Sequence, residues 1–538
     1  MFSRLKRIIR RLLYGVYNPR YYPDVIKKRY LAVSDEAVLF DDRSLEKTTD
    51  FYNRYLFKFS PHRNCQKTLR ILPCRCIGLD PSEFWSTTEL IDREQAFFLH
   101  RFYWLNENYN LENHNDIEAL VDFWVNNLRT QSVAQTPYNT SERIVNCTIF
   151  IYQNRNAPQV FIQKLYQIVG DDVRALIQKI EFPYTGVFNN HIINNARAIM
   201  WSAMLFGRLD LGKLAQELAC YAHKNLFDER GCLCEASFHY QLIVTQRLKE
   251  ISIIGRDFFQ FERPNLNIDQ TVSITQHLIS ILGARSIKTL PLIGDVSPDM
   301  PTSLNVFKGL LPEKVPLLSA AGLICYGSWF VLYNSRFLIY LNSHQFSSGD
   351  YPHDHGHDDF LSFVLFFDTS PLFIDPGNLS YEDHIYKKFQ TSKAHNTIMC
   401  NQINTDIVGR TIHSRTGRVN SICLSQFYSS GTVLKRYIHI DEECVFLTDV
   451  LLRGKSNDMV YCQFQLGPSV RLSPQKGKSV LVRTQGKKET LSITGYSQIN
   501  VGESVSSNSY GLLTHAQKLI CYPSNKLRNI SRAQISCC

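Results

Sequence analysis

Three imidazoles and three carboxylates fall within seven residues in the segment His353-Asp354-His355-Gly356-His357-Asp358-Asp359. In an extended segment alternate residues face the same side, so His353, His355 and His357 could share one face, with Asp359 as a further carboxylate partner. After an apolar run come Asp375-Pro376-Gly377 and then Ala394-His395-Asn396-Thr397. His357, Asp375 and His395 together form a nitrogen–oxygen–nitrogen set that a metal ion could take. The competing reading is a solvated histidine-rich loop.

Three further polar insertions lie upstream. Asn189-Asn190-His191 heads an amphipathic stretch, and Asn194 is four residues beyond Asn190 and therefore on the same helix face. An asparagine in that place is more often a plain helix cap. Cys234-Glu235-Ala236-Ser237-Phe238-His239-Tyr240 brings an acid and a phenol to a helix start, and Gly294-Asp295-Val296-Ser297-Pro298-Asp299 is a loop with two acids. Taken alone, each of these is a weak signal.

These residues need elements to hold them. Apolar residues recur at three- and four-residue spacing through 116–128, 157–180, 191–206 and 211–226, which predicts a helical array between about residues 80 and 285. Beyond about residue 320 the chain reads as short β-type runs (330–333, 337–341, 360–367, 371–374, 444–447, 479–482) separated by turn residues, as in a sandwich. The proline-rich stretch 286–319 connects the two halves.

The formal charge of +10 is concentrated at one end, because residues 1–30 hold nine basic residues against Asp24, a surplus of 8 that leaves 2 for the rest. Net charge therefore does not point to nucleic acid. Leu5, Ile8, Ile9, Leu12 and Leu13 fall on one face of that terminus and Arg4, Arg7, Arg10 and Arg11 on the other. This basic amphipathic helix suits a peripheral membrane or protein contact. Arginines interrupt every run that could serve as a secretory signal. The expected compartment is the cytoplasm or its membrane face. The cysteines, 15 in number, lack zinc-knuckle spacing and read as reduced thiols.

In their order along the chain these motifs resemble a known family. Pro137-Tyr138-Asn139-Thr140-Ser141-Glu142-Arg143-Ile144-Val145-Asn146, then Asn190-His191, Glu235 with Tyr240, His355-Gly356-His357-Asp358-Asp359, Asp375-Pro376-Gly377 and Ala394-His395-Asn396-Thr397 are similar to the motifs of the heparinase II/III-like polysaccharide lyases, which include heparinase III and oligoalginate lyases. The resemblance implies an α+β multidomain chain: a basic segment over 1–30, an incomplete α/α toroid over 31–305, and an antiparallel β-sandwich over 306–538. It also implies cleavage of an acidic, uronate-containing polysaccharide by β-elimination. Asn190 and His191 would neutralise the uronate carboxylate; Tyr240, His355 and a second tyrosine, Tyr381 or Tyr386, would act as base and acid. Glu235, Asn194 and Arg143 would contact substrate, and His357, Asp375 and His395 would hold a structural zinc. One departure is Phe389-Gln390-Thr391-Ser392-Lys393, which lacks the arginine expected after the aromatic residue. Because the family is commonly exported, the resemblance adds a periplasmic alternative for location.

Two other functions compete. One is a non-catalytic or biosynthesis-associated binder of acidic polysaccharide, for instance in exopolysaccharide production. The other is a glycoside hydrolase on a helical toroid, which would want two opposed carboxylates.

Overall fold

The computed structural model describes residues 68–535 apart from short internal segments, among them 182–188, 262–267, 313–320 and 344–354. The basic terminal segment 1–30 and His353 lie outside the described residues.

Short helices Arg93–His100, Tyr103–Asn108 and His114–Phe123 lead into six long ones: α1 Pro137–Gln153, α2 Gln159–Gln178, α3 His191–Phe206, α4 Leu209–Leu226, α5 Phe238–Asp257 and α6 Ile268–Ala284. Their ends follow local chemistry. Pro137 occupies the first turn of α1, where its missing N–H costs nothing, while the Thr136 hydroxyl accepts a bond from the Asn139 amide. Gly207, left-handed at φ 64°, closes α3. The Ser237 hydroxyl accepts from the Tyr240 amide and starts α5.

Helix α3 packs against α1, α4 and α5, and from Ile192 to Leu205 every residue is buried. A helix enclosed on all sides must bury its polar residues too. Asn194, Asn195, Arg197 and Ser202 are accordingly interior, which carries hydrogen-bonding groups into the middle of the helical half.

The sheets follow. Gly322–Tyr326, Trp329–Tyr333, Phe337–Asn342, Val364–Phe367 and Ser370–Phe373 form an antiparallel meander in sequence order. A second sheet has the order Ser531–Ile535, Val445–Leu452, Val433–Ile440, Asn420–Tyr428, Ile407–Arg415, and a third runs Tyr496–Ser509, Leu512–Pro523, Val460–Gln465, Ile398–Cys400. Leu332, Phe363, Leu424, Ile438, Phe464 and Leu519, drawn from these three sheets and the loop before Val364, meet in one apolar core. The apolar run expected as a strand over 360–367 is extended only from Val364. Phe360–Phe363 is a buried turn, closed by the Ser362 amide on the Asp359 carbonyl at 2.7 Å, and its side chains lid the sandwich core instead of pairing.

A separate cluster joins the two halves. Phe238 and Leu242 of α5 and Leu278 of α6 pack with Trp329, Tyr340, Phe366 and Tyr510 of the sheets. The Phe238 ring meets Trp329 edge-on at 5.3 Å, and the Tyr340 hydroxyl donates to the Leu278 carbonyl at 2.7 Å. The start of α5, and with it Tyr240, is thereby fixed at the seam between helices and sheets. Among the described residues no helix is long and apolar enough to cross a membrane.

Candidate active site and metal centre

Tyr240 leaves the first turn of α5 and its ring stacks face to face on His355, with centroids 3.6 Å apart and planes 9° off parallel. Its hydroxyl lies 3.1 Å from that of Tyr381. Burial pushes the Tyr240 phenol above its usual value of about 10, Asp295 and Asp299 add to the rise, and the Tyr381 hydrogen bond only partly offsets them. Burial likewise raises Tyr381. Both are therefore phenols, equipped to donate a proton, and the phenolate that a tyrosine base would need is disfavoured.

Asn190 stands at the N-terminus of α3, and its side chain makes no capping hydrogen bond to the helix. Its amide nitrogen lies 3.0 Å from Glu235 Oε2 and 3.2 Å from His355 Nε2, and its backbone N–H donates to Glu235 Oε1 at 2.9 Å. The carboxylate fixes which way the side-chain amide points, because only the NH2 end can face it. Glu235, placed just before the left-handed Ala236 (φ 57°), is thus a clamp on Asn190. His191 is partly open to solvent; its Nδ1 lies 2.9 Å from Glu181 Oε1 and its ring is 4.5 Å from that of Tyr138.

The second centre begins two residues past His355. His357, Asp375 and His395 are buried, and one donor atom from each lies within 4.8 Å of the others. His357 Nδ1 and His395 Nε2 are buried without a hydrogen-bond partner, a costly state for imidazole nitrogens unless a cation takes them. Burial alone would lower His395, yet Asp375 beside it at 2.9 Å lifts it to about 9, so this pocket attracts positive charge. The donor set and its orphaned nitrogens fit zinc.

Asp295 joins the centres. Its Oδ2 accepts from His355 Nδ1 at 3.0 Å and from the Tyr386 hydroxyl at 2.9 Å, and its Oδ1 lies 2.9 Å from His357 Nε2. Burial would raise this carboxyl, but the hydrogen bonds from the two histidines outweigh it and hold the group ionised. Beyond it, Asp299 accepts from the Tyr138 hydroxyl and Arg101, and Arg247 donates to Tyr138 at 2.8 Å, forming a buried polar wall behind His191.

Asn190, Glu235, Tyr240, His355 and Tyr381 are thus brought together, as are His357, Asp375 and His395. Tyr381 is the tyrosine that meets Tyr240, and Tyr386 from the short helix Asp383–Gln390 serves Asp295. Two expected substrate contacts require correction. Arg143 is fully enclosed, paired with Asp172 and donating to the carbonyls of His100 and Ala134, with its guanidinium 4.5 Å over Trp124. Asn194 is fully buried with neither amide atom accessible to solvent. Asp295 was visible in sequence only as an acid in a loop; Gly294 before it was the available clue.

A helical toroid followed by antiparallel sheets is the fold of lyases of known structure. Heparinase III superposes with a TM-score of 0.64 at 11% identity, covering 98% of this chain and 91% of that one. A mutant heparan sulfate lyase from Pedobacter heparinus gives 0.56 at 13% identity, covering 94% and 84%. Residues 342–536 match the family model described as Heparinase II/III-like, C-terminal, so the resemblance read from the motifs holds for the segment with both histidine centres. No curated protein sequence matches the chain.

Proposed function

We propose that the protein is a polysaccharide lyase that cleaves an acidic polysaccharide beside a uronic acid by β-elimination. The observation that carries this reading is the Tyr240–His355 stack, flanked by Tyr381 on the phenol and Asn190 on the imidazole. Elimination needs three things at once: relief of negative charge on the uronate carboxylate, a base for the C5 proton and an acid for the departing O4.

His355 donates through Nδ1 to an ionised Asp295, so its lone pair sits on Nε2, where Asn190 donates to it. An arriving uronate carboxylate competes for that Asn190 N–H, with His191 as a second donor. The exchange neutralises the substrate and frees His355 Nε2 to take the C5 proton. The C5–H electron pair becomes the C4–C5 double bond, the C4–O4 bond breaks, and O4 takes the proton of Tyr240, whose raised pKa keeps it protonated until then. Tyr381, hydrogen-bonded to Tyr240, steadies the phenolate left behind. The proton on His355 then returns to Tyr240 and resets the pair. A zinc held by His357, Asp375 and His395 would supply fixed positive charge that keeps the cleft wall in place.

Hydrolysis is less well supported, since Glu235 and Asp295, two carboxylates built into the site, are each engaged by hydrogen bonds from neighbours. The test is incubation with heparan sulfate, alginate, hyaluronan and bacterial capsules while following the ultraviolet absorbance of unsaturated uronate. Product that vanishes in Tyr240→Phe and His355→Ala supports elimination; new reducing ends without the absorbance would mean hydrolysis, and binding with neither would mean a polysaccharide-handling protein.

A further inference from the structure

The loop carrying Asp295 is bound to the site by more than its carboxylate. The Asp295 amide donates to the His355 carbonyl at 2.9 Å, and its own carbonyl accepts from the Ser237 hydroxyl at 2.8 Å, the same hydroxyl that caps α5 beneath Tyr240. Such an approach needs a residue without a side chain just before it. A Cβ on Gly294 would lie 2.7 Å from the His355 carbonyl and 2.9 Å from the Ala236 carbonyl, and its φ of 78° favours glycine as well. The Asp295 side chain is fully buried, and one oxygen faces each histidine.

A carboxylate only accepts hydrogen bonds, so each imidazole turned to it must present an N–H. That single requirement writes both tautomers. His355 carries its proton on Nδ1 and keeps a lone pair on Nε2; His357 carries its proton on Nε2 and keeps a lone pair on Nδ1, the atom left without a partner in the metal centre. The geometry points to Asp295 as a positioning residue that sets the tautomers of both histidines, so that metal retention and the basic imidazole depend on one carboxylate. The role of His355 as base rests on the lyase reading; the shared tautomer control does not.

An amide breaks this symmetry in a way that can be foreseen. In Asp295→Asn one side-chain atom accepts and the other donates. With zinc bound to its Nδ1, His357 must keep its proton on Nε2 and takes the amide oxygen. The NH2 then faces His355 Nδ1 and drives its proton to Nε2, which removes the lone pair from the side where Asn190 and a substrate would meet it.

The experiment uses the full-length zinc-loaded protein labelled with nitrogen-15 histidine, with the His355 ring signals assigned by their absence in His355→Gln. The parent should have His355 protonated on Nδ1 and Asp295→Asn should have it protonated on Nε2. Competition with a chromophoric chelator should place zinc about 10- to 100-fold weaker in Asp295→Asn, the usual cost of losing an outer-shell carboxylate. Tyr386→Phe, which removes a donor to the same carboxylate but neither histidine, should leave the tautomers as in the parent. An unchanged His355 tautomer with unchanged zinc affinity in Asp295→Asn overturns the inference. Should that variant not fold, the parent decides alone, because a His355 proton on Nε2 there overturns it equally. Expected tautomers and zinc affinities in a protein that makes no unsaturated product would sink the lyase reading and leave this inference standing.

Discussion

Replacing Glu235 with glutamine removes a charge while keeping shape, and it tests whether this residue positions Asn190 or touches substrate. Its two oxygens accept from the Asn190 backbone N–H at 2.9 Å and side-chain nitrogen at 3.0 Å, in a place only 3% exposed. Glutamine has one oxygen for those two donors, and its NH2 must face one of them in a buried place. Losing one charge-assisted bond and crowding a buried donor costs about 1.5–3 kcal/mol. If that cost falls on the alignment of Asn190 in the transition state, kcat/KM drops about 10- to 150-fold and most of the loss is in kcat. Initial rates of unsaturated-uronate formation over a substrate series, with near-ultraviolet circular dichroism confirming the fold, give both constants. A parental kcat with only a raised KM would refute the positioning role and mark Glu235 as a substrate contact.

The buried Arg143–Asp172 pair makes a stability prediction that needs no substrate. Arg143→Met strands an unpaired carboxylate and should cost about 3–5 kcal/mol in urea denaturation, whereas Arg143→Met with Asp172→Leu should recover much of it. A normal midpoint in the single variant with weakened polysaccharide binding would restore Arg143 as a substrate contact. For the metal, His357→Ala and His395→Ala should lose zinc on dialysis while His355→Ala retains it; equal zinc in all three would defeat the assigned donor set. Burial depresses His100 and His223 to about 4 and His239 to about 3, each below the unfolded value of about 6.5. As pH falls below 6.5 the unfolded chain takes up protons that the folded one refuses, so stability is full above that pH and is lost toward pH 4, by up to about 1.4 kcal/mol per unit for each histidine. His223→Gln, which keeps a hydrogen-bonding group near Thr271, should flatten the denaturation midpoint against pH by one histidine's share; an unchanged slope would contradict it.

How far the site is legible in the sequence depends on how local each part is. His355, His357, Asp375 and His395 are readable because they stand in a dense histidine block and two short motifs; one hairpin, Val364–Phe373, brings the block to Asp375, and the short helix Asp383–Gln390 returns the chain to place His395. The helical half is legible from its three- and four-residue spacing, but burial is not. Asn194 sits in the same polar run as Asn190, and Arg143 in the polar run of α1; only the enclosure of α1 and α3 by their neighbours separates an interior ion pair and a buried amide from a group at the cleft. Tyr381 and Tyr386 are five residues apart, and neither periodicity nor composition tells which of them meets Tyr240; the choice is made by the turn before the helix Asp383–Gln390. Asp295 was the least visible, since its importance comes from contacts 60 and 62 residues away in the chain.

In the proposed reaction Tyr240 and His355 act as one unit on a uronate polymer. The most direct measurement is a nuclear magnetic resonance spectrum of the digest made in heavy water by the parent, Tyr240→Phe and His355→Ala on whichever polymer of the panel is cut. The expected result is a vinylic C4 proton signal from a new double bond in the parent and its loss in both variants. Saturated ends with a new hydroxyl at C4 in the parent, or undiminished vinylic signal in either variant, would contradict it.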